Sequence, residues 1–71
     1  MQRQPVKSSQ IRSVGYDPAE HLLEIEFHSG GIYRYFGVPA EVHTALLRAK
    51  SRGKYFEAHI KGAYLCEMQD E

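Results

Sequence analysis

The eleven residues Ser29-Gly30-Gly31-Ile32-Tyr33-Arg34-Tyr35-Phe36-Gly37-Val38-Pro39 hold a turn, a strand and a helix start in succession. Ser29-Gly30-Gly31 supplies the backbone freedom of a tight turn, because glycine reaches positive φ without a Cβ clash. Ile32 to Phe36 is β-branched or aromatic at four of its five positions, which suits a pleated, half-buried strand. Pro39 then presets a helical φ and holds Val38 extended, so the strand gives way to a helix there.

On the N-terminal side, His21 to Phe27 alternates Leu23, Ile25 and Phe27 against Leu22, Glu24 and Glu26, a strand with one face buried. Two registers can join it to Ile32–Phe36. A two-residue turn at Ser29-Gly30 pairs Phe27 with Ile32 and sends Ile32, Arg34 and Phe36 to the core. A type I turn with Gly30 left-handed pairs Phe27 with Gly31 and places Tyr33 and Tyr35 on the face of Ile25 and Leu23. The second is favoured because it buries no arginine. Asp17-Pro18-Ala19-Glu20 is a turn. Before it, Ile11 to Tyr16 forms a shorter strand in which Gly15 suggests a bulge. Residues 1–9 are expected as a mobile arm.

On the C-terminal side the period changes to that of a helix. Val42, Ala45, Leu46 and Ala49 fall on one face between Pro39 and Lys50. Ser51 caps a second helix, Lys54 to Tyr64, carrying Phe56, Ile60, Ala63 and Tyr64 on its apolar side. Residues 66–71 form an acidic tail expected to fray. The predicted fold is α+β: a three-stranded antiparallel meander followed by two helices packed on one face, all within residues 10–65. Short connections between the strands require antiparallel pairing.

Composition bounds the rest. The 71 residues carry no net charge, and 42% are hydrophobic. A chain of this size buries roughly 60% of its unfolded surface, enough for one core. No apolar run approaches the ~18 residues of a membrane span, and no apolar secretory region opens the chain. The single Cys66 has no partner for an internal disulfide, so a cytoplasmic setting is expected.

The Tyr33-Arg34-Tyr35 centre, the Gly37-Val38-Pro39 exit and the Ser51-Arg52-Gly53-Lys54-Tyr55-Phe56 junction, followed by Ile60 and Tyr64, resemble the KTSC domain family. The likeness runs from Val6 to Tyr64. The family takes its name from the lysyl-tRNA synthetase C-terminus, and other members stand alone. RNA binding is the function the resemblance implies, and it supplies no catalytic residues.

The residues themselves offer two signals. Arg48, Lys50, Arg52, Lys54 and Lys61 gather five cations against the single carboxylate Glu57. Such segregation attracts phosphate, and a capped helix start adds N–H donors. The same charges also offset helix dipoles at a solvated junction. Tyr33, Tyr35 and Tyr55, with Arg34 alongside, can stack bases, although aromatics in a small domain commonly serve as core. Gly53 is expected to keep the junction open to a phosphate or to the first helix.

The four histidines and Cys66 lack zinc-type spacing, and the serines lack a nucleophile elbow. No metal, cofactor or catalytic group is expected, and a chain this small has little room for a large pocket. The functional expectation is a non-enzymatic module binding RNA, single-stranded or tRNA, through the basic helix–helix junction. The alternative is a protein-interaction module that docks an acidic partner or pairs through a sheet edge.

Overall fold

The turn at Ser29-Gly30 sets the register of the sheet. In the computed structural model, which describes residues 1–69, the Phe27 amide donates to the Gly31 carbonyl and the Gly30 amide to the Phe27 carbonyl, both at 2.9 Å. Gly30 is left-handed, with φ 109°. Tyr33 therefore stands opposite Ile25 and Tyr35 opposite Leu23, while Arg34 faces Glu24 on the other side. This is the register that buries no arginine.

The sheet has five strands, not three. β1 (Gln4–Pro5), β2 (Ile11–Asp17), β3 (Leu22–Phe27), β4 (Ile32–Phe36) and β5 (Cys66–Met68) pair antiparallel in sequence order. Between β4 and β5 the chain forms α1 (Ala40–Arg48) and α2 (Arg52–His59). The expected arm, residues 1–9, supplies β1, and the expected tail, residues 66–71, supplies β5; the last two residues of that tail lie outside the described residues. Both added strands are too short for alternation to reveal them. Each is held by specific partners instead. Glu67 of β5 stands opposite Arg34, an opposite-charge cross-strand pair. The Phe36 amide donates to the Leu65 carbonyl at 2.9 Å and the Gln69 amide to the Ile32 carbonyl at 2.8 Å. At the other edge, Ser8 Oγ accepts from the Gln10 and Ile11 amides and steers the arm into β2.

The register shift in β2 falls between Ile11 and Ser13, where Arg12 is the extra residue, and not at Gly15. Gly15 instead lies beneath the arm. A Cβ there would come within 2.9 Å of the Gln2 carbonyl oxygen.

Both helices lie on the face that carries Val14, Tyr16, Leu23, Ile25 and Tyr35, so the core forms between sheet and helices. Ile11, Leu23, Ile25, Val38, Leu46 and Ile60 are fully buried, each contributing about 1.5–3 kcal/mol by leaving water. The inward stripe of α1 is rotated from the expected one. Val42, Leu46 and Leu47 pack inward, His43 stacks on Tyr16 with centroids 4.6 Å apart, and Ala45 and Ala49 turn toward an outer groove. Burial holds the His43 imidazole below its ordinary range. The Tyr16 hydroxyl donates to the Val38 carbonyl at 2.5 Å, and the Val38 amide donates to the His21 carbonyl at 2.9 Å, fixing the exit from β4 into α1. The second helix ends at His59; a turn through residues 60–63, with Gly62 at φ 78°, takes the place of its expected last turn.

Candidate functional site

α1 stops where the chain turns extended at Ala49, and α2 starts where the Ser51 hydroxyl accepts from the Lys54 amide at 3.3 Å. The cap satisfies one orphan donor of the first turn. Arg48, Lys50 and Lys54 project from this connection into solvent, and none makes an ion pair among the described residues.

Arg52 differs from its neighbours. It is half-buried; Nη1 donates to the Lys7 carbonyl at 3.0 Å and Nη2 to the Leu47 carbonyl at 2.8 Å, while its buried Nε has no partner among the described residues. The Leu47 carbonyl belongs to the last turn of α1, where carbonyls lack intrahelical donors. Arg52 thus closes α1 and ties down the N-terminal arm, so it is a structural cation and not a free one. By holding the Lys7 carbonyl it also fixes an exposed lysine of residues 1–9 against the junction.

Tyr55 is half-buried on α2, its ring 4.4 Å from that of His59. It forms one wall of an open groove of about 650 Å³ along α1, whose other wall includes Glu41, Thr44, Ala45 and Arg48. The fold therefore joins Tyr55 with Arg48.

Tyr33, Tyr35 and Lys61 meet elsewhere, in a cleft of about 400 Å³ between the β3–β4 hairpin, β5 and α2. Phe27 makes edge contacts with Tyr33 and Phe56, centroids 5.7 and 5.2 Å apart, and Tyr35 does so with Phe56 at 5.6 Å. Tyr35 is almost wholly covered, so it offers no exposed stacking face. Phe27 and Phe56 join this cleft from the inward faces that their periodicity assigns them, and Gln10 joins it without any signal in the sequence. Gly53 explains the place of Gln10: a Cβ there would stand 2.7 Å from Gln10 Cδ and Oε1. Gln10, and neither a phosphate nor α1, is what approaches Gly53.

Arg34 lies on the opposite face of the sheet. Its Nε donates to Glu24 Oε2 at 2.9 Å, and Arg3 Nη1 donates to Glu24 Oε1 at 2.5 Å. Arg3 and Arg12 also approach Glu26, at 4.0 Å each. Burial pushes the Glu24 carboxyl up, but hydrogen bonds and charge from Arg34 and Arg3 outweigh it, leaving it below its ordinary range. Arg34 is thus separated from the junction and engaged by a carboxylate. Among the described residues no three of His, Cys, Asp and Glu converge to hold a metal ion, and no helix is long and apolar enough to cross a membrane.

Comparison with known proteins matches residues 7–64 to the KTSC domain. An uncharacterised protein of Stutzerimonas stutzeri is 51% identical over 61 residues, covering 86% of each chain. A lysine–tRNA ligase of a Nostoc species is 43% identical over 62 residues, 87% of this chain but 11% of the ligase. The crystal structure of a KTSC domain protein from Yersinia pestis superposes with a TM-score of 0.95 at 48% identity, covering 97% of both chains.

Proposed function

The chain belongs to the KTSC domain family, and we propose that it is a small, non-enzymatic RNA-binding module of the cytoplasm. The observation that carries the reading is a separation of charge in a chain of zero net charge. On the outer face of the sheet, Glu24 and Glu26 are matched by Arg3, Arg12 and Arg34. On the helical side, Arg48, Lys50, Lys54 and Lys61 are exposed and make no ion pair among the described residues. Glu41 beside Arg48 and Glu57 beside Lys61 are the carboxylates of the two clefts, so cations outnumber them, and such cations recruit phosphate by releasing its counterions. The groove wall of Tyr55 beside Arg48 adds an aromatic surface for a single-stranded base. The lysine–tRNA ligase relatives support the choice of RNA over other polyanions, since their names join this sequence type to a tRNA substrate. Ultraviolet crosslinking in cell lysate tests the class of partner: RNA should be recovered on the peptide spanning residues 48–61.

One observation favours a protein partner as a second reading. β5 is an edge strand, and Leu65 and Met68 beside it are 82% and 56% exposed, with Phe36 hydrogen-bonded to Leu65 through the backbone. An unpaired edge with apolar neighbours accepts a further strand. Recovery of a protein and no RNA would favour it.

A further inference from the structure

Two tyrosines of this fold are treated differently. The Tyr16 hydroxyl is satisfied by the Val38 carbonyl. Tyr35 is only 4% exposed, and its hydroxyl, which makes no hydrogen bond among the described residues, is not one of the buried polar atoms left without a partner, so it keeps a small opening to solvent. A tyrosine hydroxyl with a bond to spare and an opening to solvent is free to meet a guest. The remaining opening of Tyr35 is the cleft it lines with Phe27, Tyr33 and Phe56. Burial, with Cys66 and Tyr33 adding to it, pushes the Tyr35 pKa up to about 12, so the group stays a neutral donor.

The surroundings are shaped for a flat, partly polar guest. The walls are aromatic, and the polar groups are few: Gln10, Ser29, Glu57 and Lys61 beside the tyrosines. This is the usual make-up of a ligand site, where a few placed polar groups orient a largely apolar contact. Two close approaches hold the walls in place. A Cβ on Gly31 would stand 2.9 Å from Tyr33 Cε1, so the bare glycine lets that ring lie across the turn. Gly53 does the same for Gln10. Lys61 is exposed just beyond α2 and lines the cleft together with Glu57, so the cleft carries one cation and one carboxylate at its rim.

We propose that this cleft is a site for one unstacked nucleobase, with the Tyr35 hydroxyl and the Gln10 amide meeting its polar edge and Lys61 meeting its phosphate. The inference rests on the RNA reading for its source: the base belongs to a single strand that also crosses the junction cations. Aromatic contact is tolerant of base identity, so the polar edge carries what selectivity the cleft has.

The test uses the intact chain, amide-resolved NMR, the four ribonucleoside 5′-monophosphates, and ribose 5-phosphate as a guest without a base. At least one nucleotide should shift the amides of Gln10, Phe27, Tyr33, Tyr35 and Lys61, while ribose 5-phosphate leaves the aromatic residues unmoved. Tyr35→Phe should weaken that nucleotide about threefold to tenfold, the worth of one hydrogen bond. It should leave the thermal midpoint unchanged, because the hydroxyl it removes makes no hydrogen bond among the described residues. Equal shifts from ribose 5-phosphate, no shift with any nucleotide, or a lowered midpoint in Tyr35→Phe would overturn the cleft. An oligonucleotide that binds with unchanged affinity to Tyr35→Phe would overturn the cleft while leaving the RNA reading intact. Nucleotide shifts without oligonucleotide binding would support the base site and overturn the RNA reading.

Discussion

The Arg52 guanidinium donates to the Leu47 carbonyl at 2.8 Å, so the first residue of α2 closes the last turn of α1. Its second bond, to the Lys7 carbonyl, spans 45 residues of chain. One side chain thereby joins both helices to the N-terminal arm.

Arg52→Ala should therefore cost stability where its neighbours do not. Loss of two charge-assisted bonds, one part-buried to the Leu47 carbonyl and one exposed to the Lys7 carbonyl, is worth about 1–3 kcal/mol. Lys54→Ala, at an exposed position, should stay within about 0.5 kcal/mol. Urea denaturation of the two variants beside the parent checks the contrast. Equal midpoints for all three would return Arg52 to the free cations.

Leu46 is fully buried on the inward side of α1, in the cluster with Leu23, Ile25 and Ile60. Leu46→Ala should lose about 2–5 kcal/mol, since a cavity adds to the lost transfer energy. Ala45→Ser, on the groove side, should change little. A small loss at Leu46 in the same urea melts would place the inward stripe of α1 elsewhere.

Acid should weaken the fold in two stages. His43 is held below its ordinary value of 6.5, so the unfolded chain takes its proton first and stability falls as pH drops from about 6.5. Glu24 is held below its ordinary value of 4.5, so its contribution is complete above that value and is lost as pH falls beneath it. In a series of melts between pH 8 and 3, His43→Gln should flatten the upper stage and Glu24→Gln the lower. A profile that rises on acidification through either range would contradict the assigned burial and pairing.

The hairpin register was legible because one alternative buried Arg34 and the other did not, a penalty large enough to decide between two turns. Leu23, Ile25, Leu46, Phe56 and Ile60 announced themselves by periodicity, and all five are core. β1 and β5 were not legible. Gln4–Pro5 and Cys66–Met68 are held by backbone bonds to distant strands, which leave no local pattern. The candidate site was legible as a set of residue types but not as an arrangement. Arg48, Lys50 and Lys54 are exposed as expected, Arg34 serves Glu24 on the far face, Tyr35 and Tyr33 line a cleft with Lys61, and Arg52 is spent on carbonyls. Which carbonyl a cation meets depends on long-range packing, and composition carries no trace of it.

Titration of short single-stranded RNA pools at stepped salt concentrations tests the RNA assignment most directly, with the parent chain compared against a variant carrying Arg48→Ala, Lys50→Ala and Lys54→Ala and retaining Arg52. The parent should bind at low salt with a Kd at or below ~100 μM, the weak end of nonspecific nucleic-acid affinity. The variant should melt like the parent, bind more weakly and lose about 0.7 of log–log salt slope for each phosphate contact removed. No binding by the parent at ~100 μM, or binding by the variant with the parent's affinity and salt slope, would contradict an RNA interface at this junction.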